Sequence, residues 1–253
     1  MAEYCRTERD GHVLLITLDR PKVLNSLNAP ACFELHGIFD DFEADPDLWV
    51  AIITGAGERA FCAGHDLADA PDAPMPPSGW AGLAERAARR KPLIAAVNGL
   101  AFGGGFEIVL ACDMVTAGKG ARFGLPEVRR GLAARGGGVF RLPRRLPHAL
   151  AMELIVTGAP LDAARAEQFG LVNRLVDDGQ ALTAALELAA QIAANAPMSV
   201  RASKAVAIES ADWPLAEGFQ RQKEYLEPVF ASQDAAEGVA AFRERRDPVW
   251  EDR

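Results

Sequence analysis

Two glutamates and a run of three glycines are the residues of this chain whose types and spacing could do chemistry. Residues 98–107 read NGLAFGGGFE, and Glu127, in FGLPEV, stands twenty positions after Glu107 (127 − 107 = 20). An apolar run, LIAAV (93–97), enters a turn. Gly103, Gly104 and Gly105 follow, and then an apolar stretch, FEIVLAC. Strand, glycine turn and helix start in that order expose backbone N–H groups with no side chain in front of them. The partial positive charge of a helix N-terminus adds to those groups. Such a corner suits an oxygen that becomes negative during a reaction. Glu107 lies beside it, among Phe106, Ile108 and Val109. A carboxylate in an apolar segment is costly unless paired or protonated, so a raised pKa and proton-transfer work are expected there.

Blander readings compete with each of these. Three glycines could simply let a helix pack close to a strand. Glu127 follows Pro126 at a helix-start position, where carboxylates commonly serve the helix dipole. His65 sits between Gly64 and Asp66, and a loop histidine without a sequence partner is commonly structural. The segment GAGERA (55–60) after a strand loosely matches a dinucleotide fingerprint. However, FCAG (61–64) interrupts the helix that fingerprint requires, and no acid-ended strand follows.

The elements that must position these residues alternate. HVLLITLD (12–19), WVAIITGAG (49–57), LIAAV, DMVTAG (113–118) and ARFG (121–124) read as strands. APACFELHGIFDDFEADP (29–46) has helical spacing, LAERAARR (83–90) reads as a short helix, and PDAPMPPSG (71–79) as a surface loop. From Gly136 onward the pattern is mostly helical, with LVNRLV (171–176) as the one expected strand. An α/β core followed by a helical C-terminal region is therefore predicted. The helix at 179–195 is apolar on much of its surface, which predicts burial against another helix or another subunit. WVAIITGAGERAFCAG and LIAAVNGLAFGGG echo one another, each running from a strand through glycine to a second glycine-bearing turn. If such turns lie side by side, each offers one N–H to a shared oxygen, and Ala63 and Gly104 are the candidates.

Whole-chain properties narrow the classes. The 253 residues are 49% hydrophobic and 25% charged, the balance of a globular protein, and the formal charge of −8 argues against a general nucleic-acid binder. No apolar run is long enough to span a membrane, and the charged start MAEYCRTERDG lacks a signal core, so a cytoplasmic protein is expected. Four cysteines (5, 32, 62, 112) and four histidines show neither CxxC nor HExxH spacing, so no metal or redox cofactor is expected.

The segments ITLDRPKVLNSLN (16–28), ERAFCAGHDL (58–67), KPLIAAVNGLAFGGGFEIVLACDMVTA (91–117) and ARFGLPEVRRGL (121–132) resemble the enoyl-CoA hydratase/isomerase, or crotonase, superfamily. The likeness continues through GGVFRLPRRLP (137–147), TGAPLDAARAEQFGLVNRLV (157–176) and FRERRDPVW (242–250), nearly the whole chain in the family's order. The resemblance implies an α/β fold, a crotonase-like spiral of ββα units over 1–195. A C-terminal helical region over 196–253 would trimerise, often into hexamers, and form part of the coenzyme A site. It also implies an acyl-CoA substrate whose thioester oxygen accepts two backbone N–H bonds, here from Ala63 and Gly104. The catalytic pair falls on Glu107 and Glu127, with coenzyme A as part of the substrate and no separate cofactor.

Both glutamates favour a hydratase that adds water reversibly to a 2-enoyl-CoA, with Glu107 mainly on the water and Glu127 mainly on the Cα proton. A 3,2-enoyl-CoA isomerase or an acyl-CoA thioester hydrolase on the same fold is the alternative, and a non-catalytic acyl-CoA-binding member lies further off. By the same resemblance His65, Asp66 and Leu67 border the acyl and coenzyme A path. Lys22 and Leu24 border the adenosine part, and Phe242 and Arg245 contact coenzyme A from the C-terminal region. The chain departs from the family pattern at Ala134-Arg135-Gly136-Gly137-Gly138, where Pro-Gly-x-Gly-Gly is usual, and at His65, where a small residue is usual. With Arg129, Arg130 and Arg135, these departures suggest a polar or branched acyl group.

Overall fold

A computed structural model describes residues 3–70, 73–86 and 89–253. Its first layer is a six-stranded sheet of β1 (Cys5–Asp10), β2 (Val13–Leu18), β3 (Val50–Gly55), β5 (Leu93–Val97), β7 (Met114–Gly118) and β10 (Arg174–Val176), in that spatial order. The β1–β2 pair is antiparallel and the remaining pairs are parallel. A smaller sheet holds β4 (Ala60–Cys62), β6 (Leu100–Phe102), β8 (Arg122–Gly124) and β9 (Leu161–Asp162). The first three of these are parallel and β9 runs antiparallel to β8.

The echo in the sequence is the repeat of this architecture. β3 leads to β4, β5 to β6 and β7 to β8, each pair crossing from the large sheet to the small one through a glycine-bearing corner. Neighbouring corners are stitched together: Asn98 Nδ2 donates to the Gly55 carbonyl at 2.8 Å. The turns therefore lie side by side, as the shared-oxygen idea requires.

The helices close the structure. α1 (Ala29–Ala44) starts with the Asn28 side chain accepting the Ala31 N–H at 3.0 Å. It ends where the buried Lys91 ammonium donates to the Phe42 and Asp45 carbonyls at 2.6 and 2.5 Å. α2 (Gly104–Ala111) is buried along its whole length. α3 (Gly138–Arg145), α4 (His148–Thr157) and α5 (Ala163–Gln168) follow. Next come α6 (Ala181–Ala193), α7 (Pro197–Glu209), α8 (Leu215–Arg221), α9 (Lys223–Phe230) and α10 (Gln233–Glu244). Lys204 of α7 ties the helical region to the sheet, donating to Asp113 and to the Lys91 carbonyl, both at 2.7 Å.

Two sequence expectations need correction, and one strand was missed. The apolar helix at 179–195 is buried against the sheet and not against another helix. As α6 it covers the outer face of the large sheet, where Ala185 and Ala189 pack on Val50, Ile52, Ile94 and Ala96. Ala51, Ile53, Ala95 and Val97 alternate to the other side, toward the main core. A fully apolar parallel strand needs both faces covered, and α6 supplies the second cover. β1 escaped notice because only Cys5 of CRTERD is buried; it is a charged edge strand. Residues 83–85 form a turn after a single 3₁₀ turn at Trp80–Gly82 rather than the start of a helix. Positions 87 and 88 of that expected helix lie outside the described residues, as do 71 and 72 of the expected surface loop.

Candidate active site

Glu107 lies in the first turn of α2 and is 5% exposed. Its Oε1 accepts the Gly138 N–H at 2.8 Å, at the start of α3. The glycine loop before α3 wraps the carboxyl so closely that a Cβ on Gly136 would stand 2.7 Å from Oε2. Burial pushes the Glu107 pKa up, the Gly138 N–H pulls it down, and the negative charge of Glu127 pushes it up again.

Glu127 reaches the same corner from the 3₁₀ turn Pro126–Arg130. Gly103, at φ +55°, starts α2, and a Cβ there would lie 3.1 Å from Glu127 Oε1. A side chain at 103 would therefore be strained and would crowd this carboxyl, which accounts for the first glycine of the three. Burial raises the Glu127 pKa too, against a lowering by Arg130. Its Oε2 is a buried acceptor with no hydrogen-bond partner among the described residues. Leaving such a group unsatisfied destabilises a fold by about 1–3 kcal/mol, and the cost is greatest when the group is charged. We expect Glu127→Gln to stabilise the protein above the usual carboxylate range. A carboxyl whose folded pKa is raised contributes its stability in acid, where it is protonated, and loses it as pH rises through the folded value. Thermal melts should thus differ little near pH 4 and separate as pH climbs to 8, by about 2–4 °C for each kcal/mol. A separation that shrinks with rising pH would refute this.

The candidate donors for a developing oxyanion follow from accounting for the N–H groups of residues 63–66. The Ala63 N–H donates to the Leu24 carbonyl at 3.0 Å, and the Gly64 N–H to Cys62 Sγ at 3.4 Å. Leu27 bridges its neighbours, donating to the Gly64 carbonyl at 2.9 Å and accepting from Asp66 N–H at 2.8 Å. The His65 N–H has no acceptor among the described residues. The Gly104 N–H, at the first position of α2, likewise has none. These two segments touch: a Cβ on Gly64 would sit 3.1 Å from Gly104 N. The expectation for Gly104 fits this geometry. Ala63 does not, because its N–H is already spent on Leu24, and the free donor beside it is that of His65.

Other expected residues are placed as follows. Asp66 pairs with Arg20 at 2.9 Å and, with its backbone bonded to Leu27, braces the turn. Leu67 is 81% exposed beside it. Lys22 is exposed in the 3₁₀ turn Pro21–Val23, and Leu24 follows at φ +55° with its carbonyl on Ala63. Phe242 and Arg245 sit at the end of α10, whose packing partner is α9, and Phe242 is 86% exposed. The structure thus gathers Glu107, Glu127, Gly104 and the His65–Leu67 turn, and leaves Phe242 and Arg245 on the helical region. Arg129 is held by the Thr157 carbonyl at 2.9 Å, and Arg135 is exposed.

One site residue went unseen in the sequence. Trp80 lies on Gly104: its indole N–H donates to the Gly104 carbonyl at 3.0 Å, and any Cβ at 104 would overlap the indole. Its ring tilts 54° to that of His65, with centroids 5.5 Å apart. The stretch before it is not a free surface loop, since Ser78 is buried and bonded to His36 at 2.8 Å. The signal available was a large aromatic among proline and glycine.

The arrangement combines two carboxyls whose pKa values burial raises with two free amides, Gly104 at a helix N-terminus and His65 in the adjoining turn, beside an aromatic wall. It can hold a carbonyl oxygen, stabilise negative charge on it and move protons at neighbouring carbons. A model of the family described as enoyl-CoA hydratase/isomerase matches residues 8–253. The carnitinyl-CoA dehydratases of Citrobacter koseri and of Escherichia coli K12 are each 44% identical over a 262-position alignment covering all of both chains. Among solved structures, a probable enoyl-CoA hydratase/isomerase from Mycobacterium abscessus has a TM-score of 0.95 and 49% identity, covering both chains fully. An enoyl-CoA hydratase from Mycobacterium tuberculosis H37Rv has a TM-score of 0.94 and 45% identity over 99% of each chain.

Proposed function

The chain belongs to the enoyl-CoA hydratase/isomerase family, and on that premise we propose that it reversibly adds water to a 2-enoyl-CoA thioester. The observation that carries this reading is the pair of carboxyls at the Gly103–Gly104 corner, Glu107 buried and Glu127 half-buried, both with pKa values raised by burial. The thioester oxygen rests on the His65 and Gly104 N–H groups. Charge delocalised onto it when the Cα proton moves, or when water adds at Cβ, is stabilised there, and each such donor is worth about 3–4 kcal/mol of barrier. Glu107 handles the water and Glu127 the Cα proton. The charge of Glu127 adds to burial in favouring the protonated form of Glu107. Acid–base work and hydrogen bonds suffice for this chemistry, and coenzyme A enters as part of the substrate, not as a cofactor.

A second reading concerns the acyl group. The carnitinyl-CoA dehydratases match end to end, and loss of water from carnitinyl-CoA is the same reaction run backward. The His65–Trp80 corner suits it, because aromatic faces attract the quaternary ammonium in which a carnitinyl chain ends. This replaces the arginines as the basis for a polar acyl group. Incubation with 2-enoyl-CoAs of different chains and with carnitinyl-CoA, products read by mass, tests both readings. Gain or loss of one water supports them, unchanged masses throughout oppose them, and turnover of straight chains far above carnitinyl-CoA removes the second. Self-association completes the reading: Leu215, Phe219, Phe230 and Phe242 are 79–90% exposed on α8 to α10. Sedimentation of three or six chains is expected, and a monomer would refute it.

A further inference from the structure

The mechanism above leaves a half-buried cation unused. Arg141, in α3, is partly buried, and its guanidinium bridges two segments that are far apart in sequence. Nη1 donates to the Gly136 carbonyl at 3.0 Å and Nη2 to the Ala84 carbonyl at 2.6 Å. The two segments are the walls of the site. Gly136 belongs to the loop that encloses Glu107, and Gly138 of that loop supplies its hydrogen bond. Ala84 ends the turn that starts at Trp80, its N–H donating to the Trp80 carbonyl at 3.0 Å. Trp80 in turn lies on Gly104. Gly137, at φ +101°, is the point where the loop bends over the guanidinium, and a Cβ there would overlap Nη1.

We propose that Arg141 is a positioning residue for the acid–base and oxyanion groups, fixing the Gly136–Gly138 loop on Glu107 and the Trp80 turn on Gly104 with one guanidinium. The proposal rests on the hydration reading. A planar donor with two separated nitrogens is what the geometry uses, Nη1 on one wall and Nη2 on the other, whereas the donors of an ammonium all radiate from one atom on a flexible stem. The positive charge also acts on Glu107 directly, favouring its carboxylate against burial and against Glu127. The other elements packed on α2 add no charge at this point: β6 is apolar, and β4 presents the Cys62 thiol, kept neutral by burial that pushes its pKa up to about 12. Arg141 itself is faced by Arg89, Glu107 and Cys112, and its own burial is the largest influence lowering its pKa.

The test compares Arg141→Gln, which loses the charge and the fork, with Arg141→Lys, which keeps the charge. Wild-type turnover is measured first, so that absence of hydration there counts against the functional reading and not against this one. Melting temperatures, kcat and KM are then read together with the titration of the Glu107 carboxyl, by ¹³C NMR of glutamate-labelled protein assigned with Glu107→Gln. Both variants should fold, with kcat lowered roughly 10- to 100-fold and KM within about threefold, the pattern of a lost transition-state alignment. Removing a positive charge makes the carboxylate harder to form. The Glu107 titration and the acid limb of kcat/KM should therefore move to higher pH in Arg141→Gln and stay near wild type in Arg141→Lys. An unmoved Glu107 titration in Arg141→Gln would overturn the proposal. Loss of folding in both variants, or unchanged kcat in both, would overturn it as well.

Discussion

Glu107→Gln should lower the rate of water addition by about 10²–10⁴-fold while leaving the fold intact. Glutamine keeps the size of the side chain, and its carbonyl oxygen can still accept the Gly138 N–H that Oε1 accepts in the native protein at 2.8 Å. What it lacks is the ability to take a proton from water. The loss should fall on kcat with KM little changed, since the carboxyl acts on the reacting water and not on the bulk of the substrate. Removing a buried carboxyl whose pKa burial already raises should also leave the melting temperature equal or higher at neutral pH. The same variant separates hydration from double-bond isomerisation, which needs only one carboxylate and would survive on Glu127. A loss below tenfold would mean that Glu107 does not activate water.

Gly104→Ala should be nearly as damaging, about 10²–10³-fold in kcat, although it adds only a methyl group. That methyl would overlap the Trp80 indole, which already donates to the Gly104 carbonyl at 3.0 Å. Either the indole swings away or the Gly104 peptide tilts, and in both cases the free N–H loses its aim. The cause can be isolated by a double-mutant cycle. Adding Trp80→Ala relieves the overlap, so the double variant should recover at least tenfold over Gly104→Ala alone. Strictly additive losses would show that the overlap is not the cause, and that the methyl blocks the substrate itself.

These two expectations draw on residues of different legibility. Glu107, Glu127 and Gly104 could be proposed from sequence because they lie in one strand–glycine–helix unit and its neighbour, where local order brings the candidate groups together. The repeat of the corners was legible for the same reason, and β3–β5 and β4–β6 pair as the echo requires. The free amide of the first turn belongs to His65 and not to Ala63, the donor expected from sequence, because the choice is made by a distant segment. Leu24 takes the Ala63 N–H and Leu27 bridges around His65, and neither bond leaves a mark in the local pattern. Trp80 and Arg141 were missed for a related reason. Trp80 directly follows the proline-rich stretch 71–79 that reads as loop, Arg141 lies in a segment that reads only as helical, and each makes a tertiary contact with a backbone carbonyl that leaves no local mark. The role of α6 was open to inference from its neighbours: the buried runs of β3 and β5 need a cover on both faces.

The most direct test of the account is turnover of a 2-enoyl-CoA in ¹⁸O-labelled water, with the label located in the product. The account predicts one ¹⁸O at Cβ of the acyl chain, an intact thioester, and incorporation reduced at least 100-fold in Glu107→Gln. Label in a released carboxylic acid, or a shifted double bond carrying no label, would contradict it.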